Sequence, residues 1–387
     1  MLLLLVTVLI SCSRPDSSEI SLDLVESEFE VIDSVKVPYL GYFYLSDISN
    51  DGKLFLAYDA QRQEVVLFNR SGEIVNQFSK MGDVPDAHGY LRALPAFDQD
   101  NHILIHALKG TLLYKQSGEF IRKLLDPVES FGGVFVYVNG GKPLLVQHDQ
   151  KNYIIIRYNG DRVHDANGKP IYEQTPLVEI YELSDPENKQ QILIPSSSVF
   201  TDGLIYWETD YWPIFSLLEN KLYVTMGMDP NIYVYTLSDN FELIQEEKIL
   251  LPYDIFNTRQ GDNPKEYSPG MAMARFSTAT TVGMVKWNNY LLMEYYPGMT
   301  KQEDQELQLY YKEDREKASI LSKQLREKYR RKLLLWDPEN KQVIKSITLP
   351  HDIRKGFVVH NNELWYLREQ SAEVEEDEFT LYQVKID

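Results

Sequence analysis

Tyr206-Trp207-Glu208-Thr209-Asp210-Tyr211-Trp212 packs four aromatic rings and two carboxylates into one short run. Rings stack on the apolar faces of sugars, and carboxylates accept hydrogen bonds from sugar hydroxyls, so the mix suits glycan binding or acid–base work on a glycan. The same residues serve equally well as strand side chains filling the space between packed sheets. Tyr295-Tyr296-Pro297-Gly298 is a second aromatic patch, which could also be a simple turn in the chain. Asp83, Arg92 and Asp262 are charged groups near loops of one type, Gly82-Asp83-Val84-Pro85 and Gly261-Asp262-Asn263-Pro264. Gathered at one mouth they would line a ligand funnel. Turn capping accounts for Asp83 and Asp262 as well.

Other constellations fail on spacing. The chain has no Gly-x-Ser-x-Gly elbow, phosphate-binding loop, His-Glu-x-x-His pair or dinucleotide fingerprint. His102 and His106 fall in a strand pattern, where four positions put them about 13 Å apart, too far to share an ion. His148-Asp149, His164-Asp165 and His351-Asp352 are neighbours that point to opposite sides of extended chain. Asp47-Ile48-Ser49-Asn50-Asp51-Gly52 begins like a calcium loop but has Tyr58 where a bidentate Glu is needed, so it reads as a turn. The sequence therefore predicts no metal and no cofactor, and no catalytic set stands out.

Cys12 is the only cysteine in 387 residues, and it closes an apolar run from Leu2 to Ile10. Such a run is about half a membrane span and matches the apolar core of a secretory signal. Leu9-Ile10-Ser11-Cys12 resembles the lipobox of bacterial lipoproteins, which implies a signal peptide at 1–11 and an acylated Cys12. On that reading residues 12–19 are a polar tether and 20–387 form one domain in the cell envelope, as a periplasmic or surface-exposed outer-membrane lipoprotein. No basic residue precedes the run, which implies a precursor starting further upstream; a buried N-terminal strand is the competing reading. With 39 basic and 58 acidic side chains the net charge is −19, which disfavours nucleic acid and anionic headgroups. The lipid would thus be the only membrane contact, with an envelope protein or a glycan as the partner.

These groups need a scaffold, and the chain supplies a repeat. Ile48-Ser49-Asn50-Asp51-Gly52-Lys53-Leu54-Phe55-Leu56, then Val65 to Ile74, echoes Phe97-Asp98-Gln99-Asp100-Asn101-His102-Ile103-Leu104-Ile105, then Leu112 to Phe120. The period is roughly fifty residues, strand alternating with Asp-Gly, Asp-Asn or Ser-Gly turns, which is the length of one four-stranded propeller blade. Weaker copies follow at 142–183, 221–237, 290–337 and 363–384. The sequence thus predicts an all-β propeller of six blades, or seven if the stretched third unit is divided. Phe29 to Val37 alternates like an outer strand and is placed to close the ring on the last blade. The 26 tyrosines suit such half-buried strands.

Blade rhythm, the two Gly-Asp-x-Pro loops leading to Tyr90 and Tyr267, and Phe120-Ile121-Arg122-Lys123-Leu124 together resemble six-bladed propeller lipoproteins of the TolB/NHL kind. That resemblance implies a fold and an address, with no reaction attached.

From Lys301 to Lys332 the strand rhythm stops. The segment opens acidic at Glu303-Asp304 and closes basic at Arg326, Lys328, Arg330, Arg331 and Lys332, which complements a helix dipole. Leu307, Tyr311, Ala318, Leu321, Leu325 and Tyr329 form one stripe on a charged rod, able to pack on the propeller or to dock a partner. Glu373, Glu375, Glu376, Asp377 and Glu378 read as a solvated hairpin tip. Function is then a non-catalytic ligand- or protein-binding propeller; the alternative is a carbohydrate-active or glycan-binding protein using Trp207, Glu208, Asp210, Tyr211 and Trp212 with the funnel groups.

Overall fold

The computed structural model describes residues 26–127, 141–158, 160, 163–166, 168–238, 241–251, 253–264, 277–370 and 376–386. Cys12 with its leader, Tyr267, Glu373, Glu375 and the side chain of Glu208 lie outside the described residues.

Six four-stranded antiparallel sheets form a six-bladed propeller. After β1 (Glu26–Ser27) and β2 (Glu30–Val37), blade one is β3 (Phe43–Ile48), β4 (Leu54–Asp59), β5 (Glu64–Asn69) and β6 (Ile74–Phe78). Blade two is β7 (Ala96–Phe97), β8 (Ile103–Ala107), β9 (Gly110–Tyr114) and β10 (Phe120–Leu125). Blade three is β11 (Leu144–His148), β12 (Lys151–Arg157), β13 (Pro176–Glu182) and β14 (Asp185–Leu193). Blade four is β15 (Pro213–Leu218), β16 (Lys221–Met226), β17 (Asn231–Leu237) and β18 (Leu243–Leu250). Blade five is β19 (Thr280–Trp287), β20 (Tyr290–Tyr296), β21 (Lys332–Asp337) and β22 (Gln342–Thr348), with β1 added parallel to β22. Blade six is β23 (Ile353–His360), β24 (Glu363–Arg368) and β25 (Phe379–Lys385), completed by β2. The third unit is long because 158–175 lies between its second and third strands. It holds no seventh blade.

Apolar runs such as Val65-Val66-Leu67-Phe68 and Leu333-Leu334-Leu335-Trp336 are buried end to end, because each central strand has a neighbouring blade on both of its faces. Outermost strands such as β6 alternate instead, one side facing solvent. An apolar cluster fills each gap between blades. Where blade six meets blade one, Phe55 stacks on Phe68 at 5.2 Å and meets Trp365 edge-on at 5.0 Å. Such ring pairs add about 0.5–1.5 kcal/mol each beyond burial.

Ring closure depends on β2, whose Val37 pairs with Phe379 and Glu30 with Lys385. Gly72 in the Ser-Gly turn of blade one sits under this strand at φ +83°, where a Cβ would lie 1.8 Å from the Lys36 carbonyl oxygen. Only glycine allows that backbone conformation and that approach together.

The 301–332 insertion is a pair of helices rather than one rod: α1 (Lys301–Glu313) and α2 (Arg315–Lys328), with Lys332 already in β21. Asp314 breaks it. It leaves helical geometry at φ −152° and ψ 92°, ends α1, and caps α2 by accepting from the Lys317 amide at 3.1 Å. Thr300 and Glu303 form a capping box at the start of α1. Glu303 also accepts from Lys328 at 2.6 Å and from the Tyr329 hydroxyl at 2.7 Å, which ties the start of α1 to the end of α2 as an antiparallel hairpin.

Candidate functional site

Strand direction alternates within each blade. Connections from first to second and from third to fourth strand therefore share one face of the disc. Those from second to third strand and from blade to blade share the other. Among the described residues the strand connections on the first face are tight turns, such as 49–53, 70–73 and 149–150. The second carries the long segments 79–95, 158–175, 194–212, 251–279 and 297–331, and with them the aromatic run, both Gly-Asp-x-Pro loops and the hairpin. This loop face is where a site can be built.

Within the aromatic run the two tyrosines belong to a structural joint, and the two tryptophans are half-buried. Tyr206 and Tyr211 are buried between blades three and four, with Tyr211 edge-on to Tyr172 at 5.5 Å and packed on Phe200 at 5.7 Å. Trp212 lies under the Arg157 guanidinium at 4.2 Å. Asp210, 4 % exposed, accepts from the Trp207 amide at 2.8 Å and from the Arg259 guanidinium. Arg259 is also 3.9 Å from Asp262, and Ile205 exchanges both backbone hydrogen bonds with Asp262. Asp210 and Asp262 are thus brought together around Arg259, a residue the sequence reading did not single out. Asp83 stands apart, fully exposed at 3.3 Å from Lys109. Arg92 is buried: its amide donates to the His106 carbonyl, and its own carbonyl accepts from Arg157 at 2.6 Å. Burial, then the charges of Arg92 and Arg157, push His106 down to about 3, so it stays neutral. Asp83, Arg92 and Asp262 therefore form no common pocket among the described residues.

On the turn face, Asp98, Asp100 and His102 could reach one cation. Asp98 is already accepting from the Asp100 and His102 amides at 2.9 and 2.7 Å, the bonds that shape its turn. In the acidic loop near the C-terminus, Glu376 pairs with Arg368 and Glu378 with Lys36, so these two are held by cations.

The large concavity lies elsewhere, between the hairpin and blades five and six. It has a volume of about 1100 Å³. One wall is hairpin (Asp304, Tyr311, Arg326); the other comes from Tyr296, Leu349-Pro350-His351 and Lys355. Gly298 turns the chain from β20 toward α1 at φ +74°, in a spot where a Cβ would meet the Ala279 amide nitrogen at 2.2 Å. Of the stripe residues, Leu307 and Leu325 are buried with Met299, Ala318 and Tyr329, and Leu321 packs against them. They hold the hairpin together and seat it on its base. Tyr311, half exposed, faces the concavity.

Electrostatics single this cleft out. Burial would raise Glu303, but hydrogen bonds from Lys328, Thr300 and Tyr329 prevail and hold its carboxyl at about 2. Burial, ahead of the neighbouring Tyr329, pushes Tyr296 up to about 12. Glu294, wholly buried, receives the Arg331 guanidinium, which also donates to the Ile353 and Arg354 carbonyls and so pins blade five to blade six. Lys355 is exposed within the cleft yet crowded by protein. That crowding, then repulsion from Arg331, lowers its pKa against a partial counter-pull from Glu294. Lys355 also lines a smaller cavity of about 310 Å³ with Tyr42, Arg354 and Glu369. There the Arg354 guanidinium sits 3.8 Å from the centre of the Tyr42 ring. The sequence signal for this cleft was the crowd of cations at 326–332, which helix-dipole complementarity had seemed to explain.

In sequence, no family pattern and no curated protein matches the chain. In structure, it is similar to a member of the DUF4221 family from Bacteroides vulgatus, with a TM-score of 0.54 at 12% identity over 93% of this chain and 98% of that one. It is similar also to a Bacteroides fragilis protein described as exported, with a TM-score of 0.53 at 11% identity over 94% and 97% of the two chains. At such identities the likeness establishes the six-bladed propeller as a fold shared over nearly the whole chain.

Proposed function

We propose that the protein is an exported propeller, tethered to the cell envelope through Cys12, that acts as a non-catalytic binding module with its loop face toward the ligand or partner. The cleft under the helical hairpin carries this reading. A connection that takes two to four residues in blades one, two and four is here expanded into two capped helices, and the result is a roofed concavity larger than the usual small-molecule pocket. Export draws support from the structural likeness to a protein described as exported and from the lipobox-like Leu9-Ile10-Ser11-Cys12.

The carbohydrate-active alternative needs two carboxylates facing one another at roughly 5–10 Å. Asp304 is the single carboxylate lining the larger cavity and Glu369 the single one lining the smaller. Asp210 is engaged by Arg259. Neither cavity thus offers glycoside hydrolysis an acid–base pair, and binding is the reading they favour.

A photo-crosslinking residue at Tyr311, inside the cleft, and another at Ser117, on the turn face, test the assignment in intact cells. Crosslinks from position 311 alone are expected; equal yields, or yield only from 117, would refute it. Palmitate labelling that survives Cys12→Ser would sink the tether.

A further inference from the structure

We propose that the cleft between the hairpin and blades five and six binds an acidic oligosaccharide, gripped through its carboxylate or sulfate groups by Arg326, Arg330 and Lys355. This deepens the reading of the loop face as the binding face and rests on it.

The argument begins with a charge census. Five cations crowd 326–332 in a chain whose net charge is −19. Three are neutralised where they stand: Lys328 by Glu303, Arg331 by Glu294, and Lys332 by Asp254. Asp254 is itself lowered, because hydrogen bonds from Lys332 and Tyr295 outweigh the effect of its burial. His351, across the cleft, is taken by Glu327 at 2.9 Å. Arg326, Arg330 and Lys355 remain, all lining the cleft, with no carboxylate bonded to them among the described residues. A like-charged group gathered in a concavity repels itself unless an anion joins it. Guanidinium forks match the paired oxygens of carboxylate and sulfate, which favours those groups over a neutral ligand.

Asp304 narrows the class further. It lines the same cleft, and its Oδ1 is buried with no hydrogen-bond partner. A buried carboxylate oxygen requires a donor. Inorganic phosphate or sulfate offers mostly acceptors, whereas a sugar offers hydroxyls. Tyr296, Tyr311 and Met299 supply apolar surface against which a sugar ring can lie. One ligand satisfies all three demands if it carries anionic groups, hydroxyl donors and ring faces over the length of an 1100 Å³ cleft.

The test is isothermal titration of the full chain with three probes: a hexamer of galacturonic acid, a sulfated oligosaccharide of similar length, and neutral maltohexaose. The two acidic probes separate carboxylate from sulfate as the preferred group. At least one should bind at least about tenfold more tightly than maltohexaose. The double variant Arg326→Ser/Arg330→Ser should weaken that probe about a hundredfold, at roughly tenfold per charge-assisted contact. Asp304→Ala should weaken it several-fold, and urea midpoints verify that each variant is folded. Equal binding of the neutral hexamer, an undiminished affinity in the double variant, or no binding of either acidic probe would overturn the proposal. Crosslinking confined to position 311 alongside a failed titration would remove the acidic sugar and leave the binding face intact. Crosslinking confined to the turn face would remove both.

Discussion

Replacing Glu294 with Gln removes the charge that answers Arg331 where blade five meets blade six. Glu294 is fully buried and Arg331 nearly so, and Arg331 bridges to the backbone carbonyls of Ile353 and Arg354 at the start of blade six. Glutamine keeps the shape and an acceptor but leaves the guanidinium buried without a counter-charge. Breaking a buried pair in this way costs about 3–5 kcal/mol, whereas replacing both partners with uncharged groups is often far milder. Urea unfolding should therefore place Glu294→Gln about 3 kcal/mol below the wild type. The double variant Glu294→Gln/Arg331→Met should recover part of that loss. Glu294 also partly offsets the repulsion Arg331 exerts on Lys355, so the single variant should lower the Lys355 pKa further, readable by NMR titration of that amine. A loss below about 1 kcal/mol, or a double variant worse than the sum of its singles, would refute the claim that an isolated charge sets the cost.

Gly72→Ala should destabilise the ring by more than the about 1 kcal/mol expected for positive φ alone, because its Cβ would collide with the Lys36 carbonyl; urea midpoints measure it. Tyr211→Ala should cost about 3–5 kcal/mol as a core truncation, whereas a pure glycan platform would leave the unfolding midpoint unchanged. Glu303 is held at about 2 in the folded chain against 4.5 for a free glutamate, so its contribution is present above about pH 4.5 and fades as pH falls toward 2. Its partner Lys328 is largely solvent-exposed, so the effect should stay below about 1 kcal/mol, seen as a wild-type advantage over Glu303→Gln that vanishes across that window.

The blades were legible because each central strand is sandwiched on both faces. Runs such as Val65 to Phe68 must then be apolar throughout, and Gly at the turns marks where each run stops. The break at Asp314 was hidden because Leu307, Ala318 and Leu325 keep a helix-compatible spacing straight through it. The aromatic run left two readings open for a different reason. Tyr211 and Trp212 have the composition of a sugar platform, but whether a ring faces solvent or a neighbouring blade depends on partners such as Phe200 and Arg157, far away in sequence. The cleft draws on Tyr296, the hairpin and Lys355, three segments that no local pattern connects.

Because β2 completes the sheet that β25 ends, partners such as Lys36 and Glu378 lie 342 residues apart in the chain. Synthesis at about 5–20 residues per second means that β2 waits roughly 20–70 s for its mate to exist. Throughout that interval it lacks the partner that covers its edge. Glu30, Asp33 and Lys36 put charges along that waiting strand, which discourages pairing with a stranger. The clasp that closes the ring thus cannot form until β25 has been made, and lets no partial product close early.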